Sequence, residues 1–276
     1  MYLEKLKNAQ EKNNSWVCIG LDPQPEMLPI QATHQWDEPV LPFNKAIIDA
    51  TADIACAFKP NLGFYLQWGA AGMIALERTI QYIPDDIPII IDCKAGDIGH
   101  TQMAWAKGIF DHWGADAFVI NPYVGRDAIE PIIKEWPTKG VYVLGRTSNP
   151  SAPDFQGNMG DPNDLSRQVI KKVNDLKRPE YGDVGLVIGA TWPEEMEIAR
   201  EEAPHTPFLI PGIGAQGGSL EISVKYGADT TAGPLINASR SIIYAGNGYD
   251  FADKAREAAI ELRDQINQQR RQTVNS

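Results

Sequence analysis

Ile87-Pro88-Ile89-Ile90-Ile91-Asp92-Cys93-Lys94-Ala95-Gly96-Asp97-Ile98-Gly99-His100 joins an apolar run to a knot of charge. Residues 87–91 read as a buried strand, and in a strand residues two apart share a face, so Asp92 and Lys94 point the same way. A core strand rarely ends in charges on its buried face unless they are paired or used. That ending directs attention to chemistry at the strand's C-terminal end.

Working outward, similar runs recur at residues 16–22, 55–60, 88–94, 117–122, 141–146, 185–190, 207–212 and 229–233. Their β-branched content and Gly/Pro punctuation favour strands. Segments of helical period lie between them, for example 62–83, 99–113, 164–176 and 194–202, with Asp164 placed as an N-cap after Pro162-Asn163. Strands alternating with helices predict a parallel sheet, and this number of them predicts a closed (β/α)8 TIM barrel. An open doubly wound sheet is the alternative. No linker or internal repeat divides the chain, so residues 1–276 are expected to form one barrel domain, with a polar tail over 264–276 expected to fray. Two long connections, 23–42 and 148–162, are rich in turn formers and fit active-site loops or lids.

Composition narrows the function. The net charge of −11 argues against nucleic-acid binding, which relies on clustered Lys and Arg, yet leaves room for a local anion site. The apolar runs fall short of the roughly 20 residues needed to span a membrane, and the N-terminus lacks a secretion signal, so a cytoplasmic protein is expected. The three cysteines, Cys18, Cys56 and Cys93, lie beside apolar runs and read as free thiols. The four histidines, His34, His100, His112 and His205, show no ligand spacing, and no metal site is expected.

In a barrel, charges at C-terminal strand ends belong to the active-site face. Four ends carry them: Gly20-Leu21-Asp22-Pro23, Phe58-Lys59-Pro60-Asn61, the stretch with Asp92, Lys94 and Asp97, and Gly145-Arg146-Thr147-Ser148. Each has a plainer reading. Asp22 suits a turn before proline, Lys59 could snorkel to the rim, Asp97 could cap a helix beginning at Ile98, and His100 suits a first-turn surface position. Independent capping does not explain lysines and carboxylates converging on one rim. Interleaved ammonium and carboxylate groups keep one another ionised. A protonated lysine can then deliver a proton to a carbon that becomes negative, beside a carboxylate pressing on an anionic leaving group. Decarboxylation has both features.

The seventh run continues into Pro211-Gly212-Ile213-Gly214-Ala215-Gln216-Gly217-Gly218, whose glycines let backbone N–H groups close on an anion. It matches a dinucleotide fingerprint formally, but it follows a late strand and lacks the acidic partner about 20 residues on. A phosphate loop is the better reading. Asn237-Ala238-Ser239-Arg240 follows, and Arg240 supplies a permanently charged, bidentate phosphate partner. The plain alternative is a surface arginine opening a helix.

Taken together, Asp92-x-Lys94-x-x-Asp97-Ile98-x-x-Thr101, Lys59 on the preceding strand, Pro211-Gly-Ile-Gly-Ala-Gln216 and Arg240 resemble the orotidine 5′-phosphate decarboxylases. The 23–42 insertion and Arg146-Thr147-Ser148-Asn149-Pro150 look like the longer, bacterial type 2 branch. The resemblance runs from Asp22 to Arg240. It implies that orotidine monophosphate loses CO₂ to give UMP, the last step of de novo pyrimidine nucleotide synthesis, without metal or organic cofactor. It further implies that Lys94 donates the proton to C6, Asp92 faces the departing carboxylate, and Lys59 holds the network and reaches the ribose. Asp22 would bind a ribose hydroxyl. Ser148 would contact the pyrimidine ring, with Thr147 the alternative hydroxyl beside it. Gln216, Gly214 and Arg240 would grip the phosphate. Asp97 and Thr101 would enter the partner subunit's site, which implies a homodimer.

Two rivals remain at this level. A Mg²⁺-dependent sugar-phosphate decarboxylase or aldolase would share the Asp-x-Lys-x-x-Asp element but place an acidic ligand where this chain has Lys59. A non-catalytic phosphate-binding barrel would keep Gly214, Gln216 and Arg240 and have no use for Asp92 and Lys94.

Overall fold

A computed structural model describes residues 1–29, 38–213, 217–228 and 232–274. Eight parallel strands alternate with helices: β1 Val17–Leu21, β2 Ala57–Pro60, β3 Ile90–Ala95, β4 Ala117–Ile120, β5 Gly140–Arg146, β6 Asp183–Ile188, β7 Phe208–Pro211 and β8 Leu235–Ala238. They pair in the order β2-β1-β8-β7-β6-β5-β4-β3, and bridges from Phe58 to Ile89 and Asn61 to Asp92 join the two ends into a barrel. The described helices are α1 Tyr2–Lys12, α2 Val40–Thr51, α3 Leu62–Leu66, α4 Gly69–Tyr82, α5 Gly99–Lys107, α6 Glu130–Glu135, α7 Pro153–Gln156, α8 Leu165–Asn174, α9 Pro193–Glu202, α10 Leu220–Gly227, α11 Arg240–Ile243 and α12 Phe251–Val274. No helix among the described residues is long and apolar enough to cross a membrane.

Buried side chains fill two spaces, as strands covered on both faces require. Cys18, Ala57, Ile90, Val119, Tyr142, Val187, Leu209 and Leu235 pack in one cluster, and Tyr2 and Leu6 of α1 join it. The Tyr2 hydroxyl donates to Tyr142 Oη at 3.0 Å, so neither phenol is buried without a partner. Gly140 makes room for this plug, since a Cβ there would meet Tyr2 Cδ1 at 2.5 Å. The second, larger cluster seats the outer helices against the strands. With α1 fixed at one end, the charged strand ends open at the other.

Several boundaries differ from the sequence reading. The last strand is Leu235–Ala238, not 229–233; Ala232 and Gly233 are outside any strand, and 229–231 fall outside the described residues. The helix expected over 62–83 breaks into α3 and α4 at Gln67 and Trp68. The loop after β1 ends sooner than Pro42, because α2 begins at Val40. The tail expected to fray from Asp264 is helical as far as Val274, because Ile266 is fully buried and Asn267 Nδ2 donates to Asn14 O at 2.8 Å. Asp164 occupies the N-cap position of α8, but its carboxylate accepts from the N–H groups of Asn158 and Asp161 instead of from the helix.

Candidate active site

Asp92 stands at the centre of the charged rim. Lys59 Nζ donates to its Oδ2 at 3.0 Å, Asn61 Nδ2 reaches the same oxygen at 3.2 Å, and Lys94 Nζ donates to Oδ1 at 2.5 Å. Lys94 does not arrive there by a plain pleat. Pairing of β3 with β4 slips between Ile91 and Ala95, and Lys94 adopts φ +49°. A non-glycine residue in the left-handed region is strained, a cost tolerated where function fixes the geometry. The bulge aims the ammonium back onto Asp92, which lines the cavity described below, while leaving the Lys94 side chain 47% exposed.

Burial alone would raise the Asp92 carboxyl, but the ammoniums of Lys59 and Lys94 outweigh it and bring its pKa down to about 2. Burial would lower Lys59; the carboxylates of Asp92 and Asp22 reverse that and hold it above its ordinary value. Lys59 is only 4% exposed, so it does not snorkel to solvent. Asp22 differs: burial raises its carboxyl, with Lys59 and Ser239 only partly offsetting the shift. Its Oδ1 is buried without a hydrogen-bond partner among the described residues, as is Asn237 Oδ1 nearby. An unpaired buried acceptor is costly, and both line a cavity where a hydroxyl could satisfy them.

That cavity has a volume of about 410 Å³ and runs from Asp22, Lys59 and Asp92 to Gly212, Ile213 and Arg240. The backbone carrying Asp22 is pinned from behind: Tyr65 Oη donates to Leu21 O at 3.0 Å and Tyr244 Oη to Asp22 O at 3.0 Å. After β7, Gly212 adopts φ +100° and its carbonyl accepts from Gly218 N at 3.1 Å. Gly214 and Gln216 lie outside the described residues. Arg240 opens α11 with its side chain exposed, and it lines the same cavity as Asp22, Lys59 and Asp92.

The remaining expected residues are placed elsewhere. Asp97 Oδ1 accepts from Ile98 N at 2.8 Å, and α5 starts one residue later, at Gly99. Neither Asp97 nor Thr101 lines the cavity; Thr101 faces a separate groove with Trp105 and Trp113. Ser148 lies at the rim against Gly189, where a Cβ would come within 2.9 Å of Ser148 Cα, but it too is outside the cavity lining. Arg146 corrects the sequence reading. It is fully buried and pairs with Glu195 behind the strand, so the charge ending β5 does not join the rim. Asn61, Ser239 and Asn237 were not singled out from the sequence. Asn61 carried the one usable signal, an N-cap residue before Leu62-Gly63, and its side chain does accept from Gly63 N.

The Asp92 shift has a consequence for stability. A carboxyl lowered from 3.8 to about 2 on folding contributes about 2 kcal/mol at neutral pH. The sign follows: the contribution is complete above the unfolded value and is lost as pH falls through the folded one. Denaturant titrations should show the stability advantage of wild type over Asp92→Asn shrinking by about 2 kcal/mol between about pH 5 and pH 2. A gap that is constant or widens on acidification contradicts the ion-paired state of Asp92.

Comparison with known proteins places the chain. The family model described as Orotidine 5′-phosphate decarboxylase / HUMPS family matches residues 15–255. The orotidine 5′-phosphate decarboxylase of Thermomicrobium roseum is 44% identical, over 99% of this chain and 97% of its own. That of Dehalococcoides mccartyi is 43% identical, over 98% of each chain. Among solved structures, the OMP decarboxylase of Leishmania donovani superposes with a TM-score of 0.82 at 33% identity, covering 98% of each chain.

Proposed function

The chain belongs to the Orotidine 5′-phosphate decarboxylase / HUMPS family, and on that premise we propose that it removes CO₂ from orotidine monophosphate to give UMP with its own side chains alone. The observation that carries this reading is the contiguous Lys59–Asp92–Lys94 array, whose Lys59 and Asp92 line one cavity together with Gly212 and Arg240. The phosphate binds at Arg240 with Gln216 and Gly214, and a ribose hydroxyl supplies the donor that Asp22 Oδ1 lacks. The base is thereby set with its carboxylate against Asp92.

Two carboxylates so placed repel, and Asp92 cannot escape by protonating because Lys59 and Lys94 hold it ionised. Breaking the bond from C6 to the carboxylate releases CO₂ and leaves the electron pair on C6. Lys94 Nζ then gives its proton to C6. Its positive charge is fixed before the reaction, so it also stabilises the developing carbanion without reorganisation. Lys59 and Asn61 keep Asp92 in register, and Ser148 contacts the ring. A lysine where related Mg²⁺ enzymes need an acidic ligand supports the metal-free reading.

Asp97 is bonded to Ile98 N and Thr101 faces a separate groove with Trp105 and Trp113, which supports their serving the partner's site in a homodimer. Treated with EDTA, the purified protein is expected to consume orotidine monophosphate, followed by its ultraviolet absorbance. No turnover, or turnover only after Mg²⁺ is added, refutes the assignment.

A further inference from the structure

A hydrogen-bonded network lies behind the rim at the end of β5. Arg146 is fully buried and holds Glu195 through two nitrogens, Nη2 reaching Oε1 at 3.0 Å. Its guanidinium stacks 4.5 Å from the centre of the Trp192 ring. Trp192 Nε1 in turn donates to Thr147 O at 2.9 Å. Gln156, the last residue of α7, completes the arrangement. Its Oε1 accepts from Thr147 N at 3.0 Å and from Arg146 Nη1 at 3.4 Å, and its Nε2 donates to Thr147 Oγ1 at 2.7 Å. Ser166 Oγ, itself fully buried, donates to Gln156 O at 2.8 Å and fixes the backbone behind it.

These bonds use both hydrogen-bond donors of Thr147. Its N–H and carbonyl are used, and its hydroxyl accepts from Gln156 while donating to Asn149 Oδ1 at 2.7 Å. A hydroxyl has one proton to give, so Thr147 has none left for a ligand. The Ser148 carbonyl accepts from Thr191 Oγ1 at 3.2 Å, and its backbone rests against Gly189. The Ser148 hydroxyl is tied into none of these contacts. A primary amide is the side chain suited to the task, because it accepts at one atom and donates at the other.

We propose that Gln156 is a positioning residue for pyrimidine recognition: it locks Thr147 internally, so that Ser148 alone presents a hydroxyl to the base. This rests on the decarboxylase reading above. It also gives the 148–162 connection a role other than a loose lid, since α7 and the buried Met159 hold it down.

The test uses two ligands that share a sugar phosphate and differ in the base. Gln156→Met keeps the length and removes all the side-chain hydrogen bonds. It should weaken inhibition by UMP about tenfold and inhibition by ribose 5-phosphate less than about twofold, with KM for orotidine monophosphate rising more than kcat falls. Gln156→Glu, which retains the Oε1 acceptor, should restore UMP binding to within about threefold of wild type. Gln156→Asn, polar but too short to reach Thr147, gives the same split and serves if the Met variant does not fold. Equal loss with both ligands, or no loss with UMP, overturns the proposal. Failure of the wild-type protein to turn over orotidine monophosphate would instead overturn the functional reading beneath it.

Discussion

Lys94→Ala should lower kcat for orotidine monophosphate by about 10⁴ or more while changing the affinity for UMP by less than about tenfold. The size follows from the two tasks proposed for one ammonium: to supply the proton for C6 and the fixed charge beside the carbanion. Removal of a positioned acid commonly costs 10²–10⁴, and the electrostatic loss adds to it. The binding half follows from geometry. The proposed phosphate contact at Arg240 lies after β8 and does not involve Lys94, and Asp92 keeps Lys59 and Asn61 when Lys94 is gone. The fold should survive too, because the Lys94 side chain is half exposed and its left-handed backbone is strained by a side chain of any kind. Absorbance kinetics and calorimetric titration with UMP measure the two halves. A variant that still turns over at near the wild-type rate removes Lys94 from the role of acid. Loss of UMP binding along with turnover would make the residue a ligand for the product instead.

The sequence was informative where a pattern of residue types has one structural meaning. The apolar runs that became β1 to β7 read as strands from their length and Gly/Pro punctuation, and their alternation with helices implies a parallel sheet, for which the barrel is preferred to an open doubly wound form. Leu235-Ile236-Asn237-Ala238 was passed over because a short run broken by Asn carries little strand signal, although tertiary pairing to β1 and β7 makes it one. Strict alternation failed at both bulges. On β3 the slip turns Lys94 back onto Asp92, which the plain pleat also predicted, though by a different backbone path. On β5 pairing slips between Leu144 and Arg146, and the arginine expected on the rim is carried into the helical layer to meet Glu195. The β5 slip is one residue, which exchanges the faces of the strand, and no residue type announces it. Asn61 illustrates a different limit. Its type suits a cap, a signal the sequence reading left unused, and the second contact to Asp92 depends on β2 and β3 lying side by side at the barrel's closure.

Mixing Lys94→Ala with Asp97→Ala chains should restore activity that neither variant has alone, to about one quarter of wild type. The figure comes from symmetry. Random reassembly makes about half of the dimers hybrid, and each hybrid has one site lacking both groups and one lacking neither. The intact site pairs the barrel of the Asp97→Ala chain, with its Lys94, and the Asp97 of its partner. Within one chain the Asp97 carboxylate accepts from Ile98 N at the start of α5, whereas Lys94 is bonded directly to Asp92. The control is Lys94→Ala mixed with Asp92→Ala, whose lesions fall in the same barrel: no arrangement of those chains rebuilds a whole site, and no activity should return. Exchange of subunits is checked by tagging one chain and isolating hybrids before assay. Isolated hybrids as inactive as their parents exclude a shared site and return Asp97 to the plainer role of fixing the N–H of Ile98 ahead of the helix. Recovery in the first mixture and not in the control requires that the proton donor and this carboxylate reach one substrate from different subunits, since nothing else distinguishes the two mixtures.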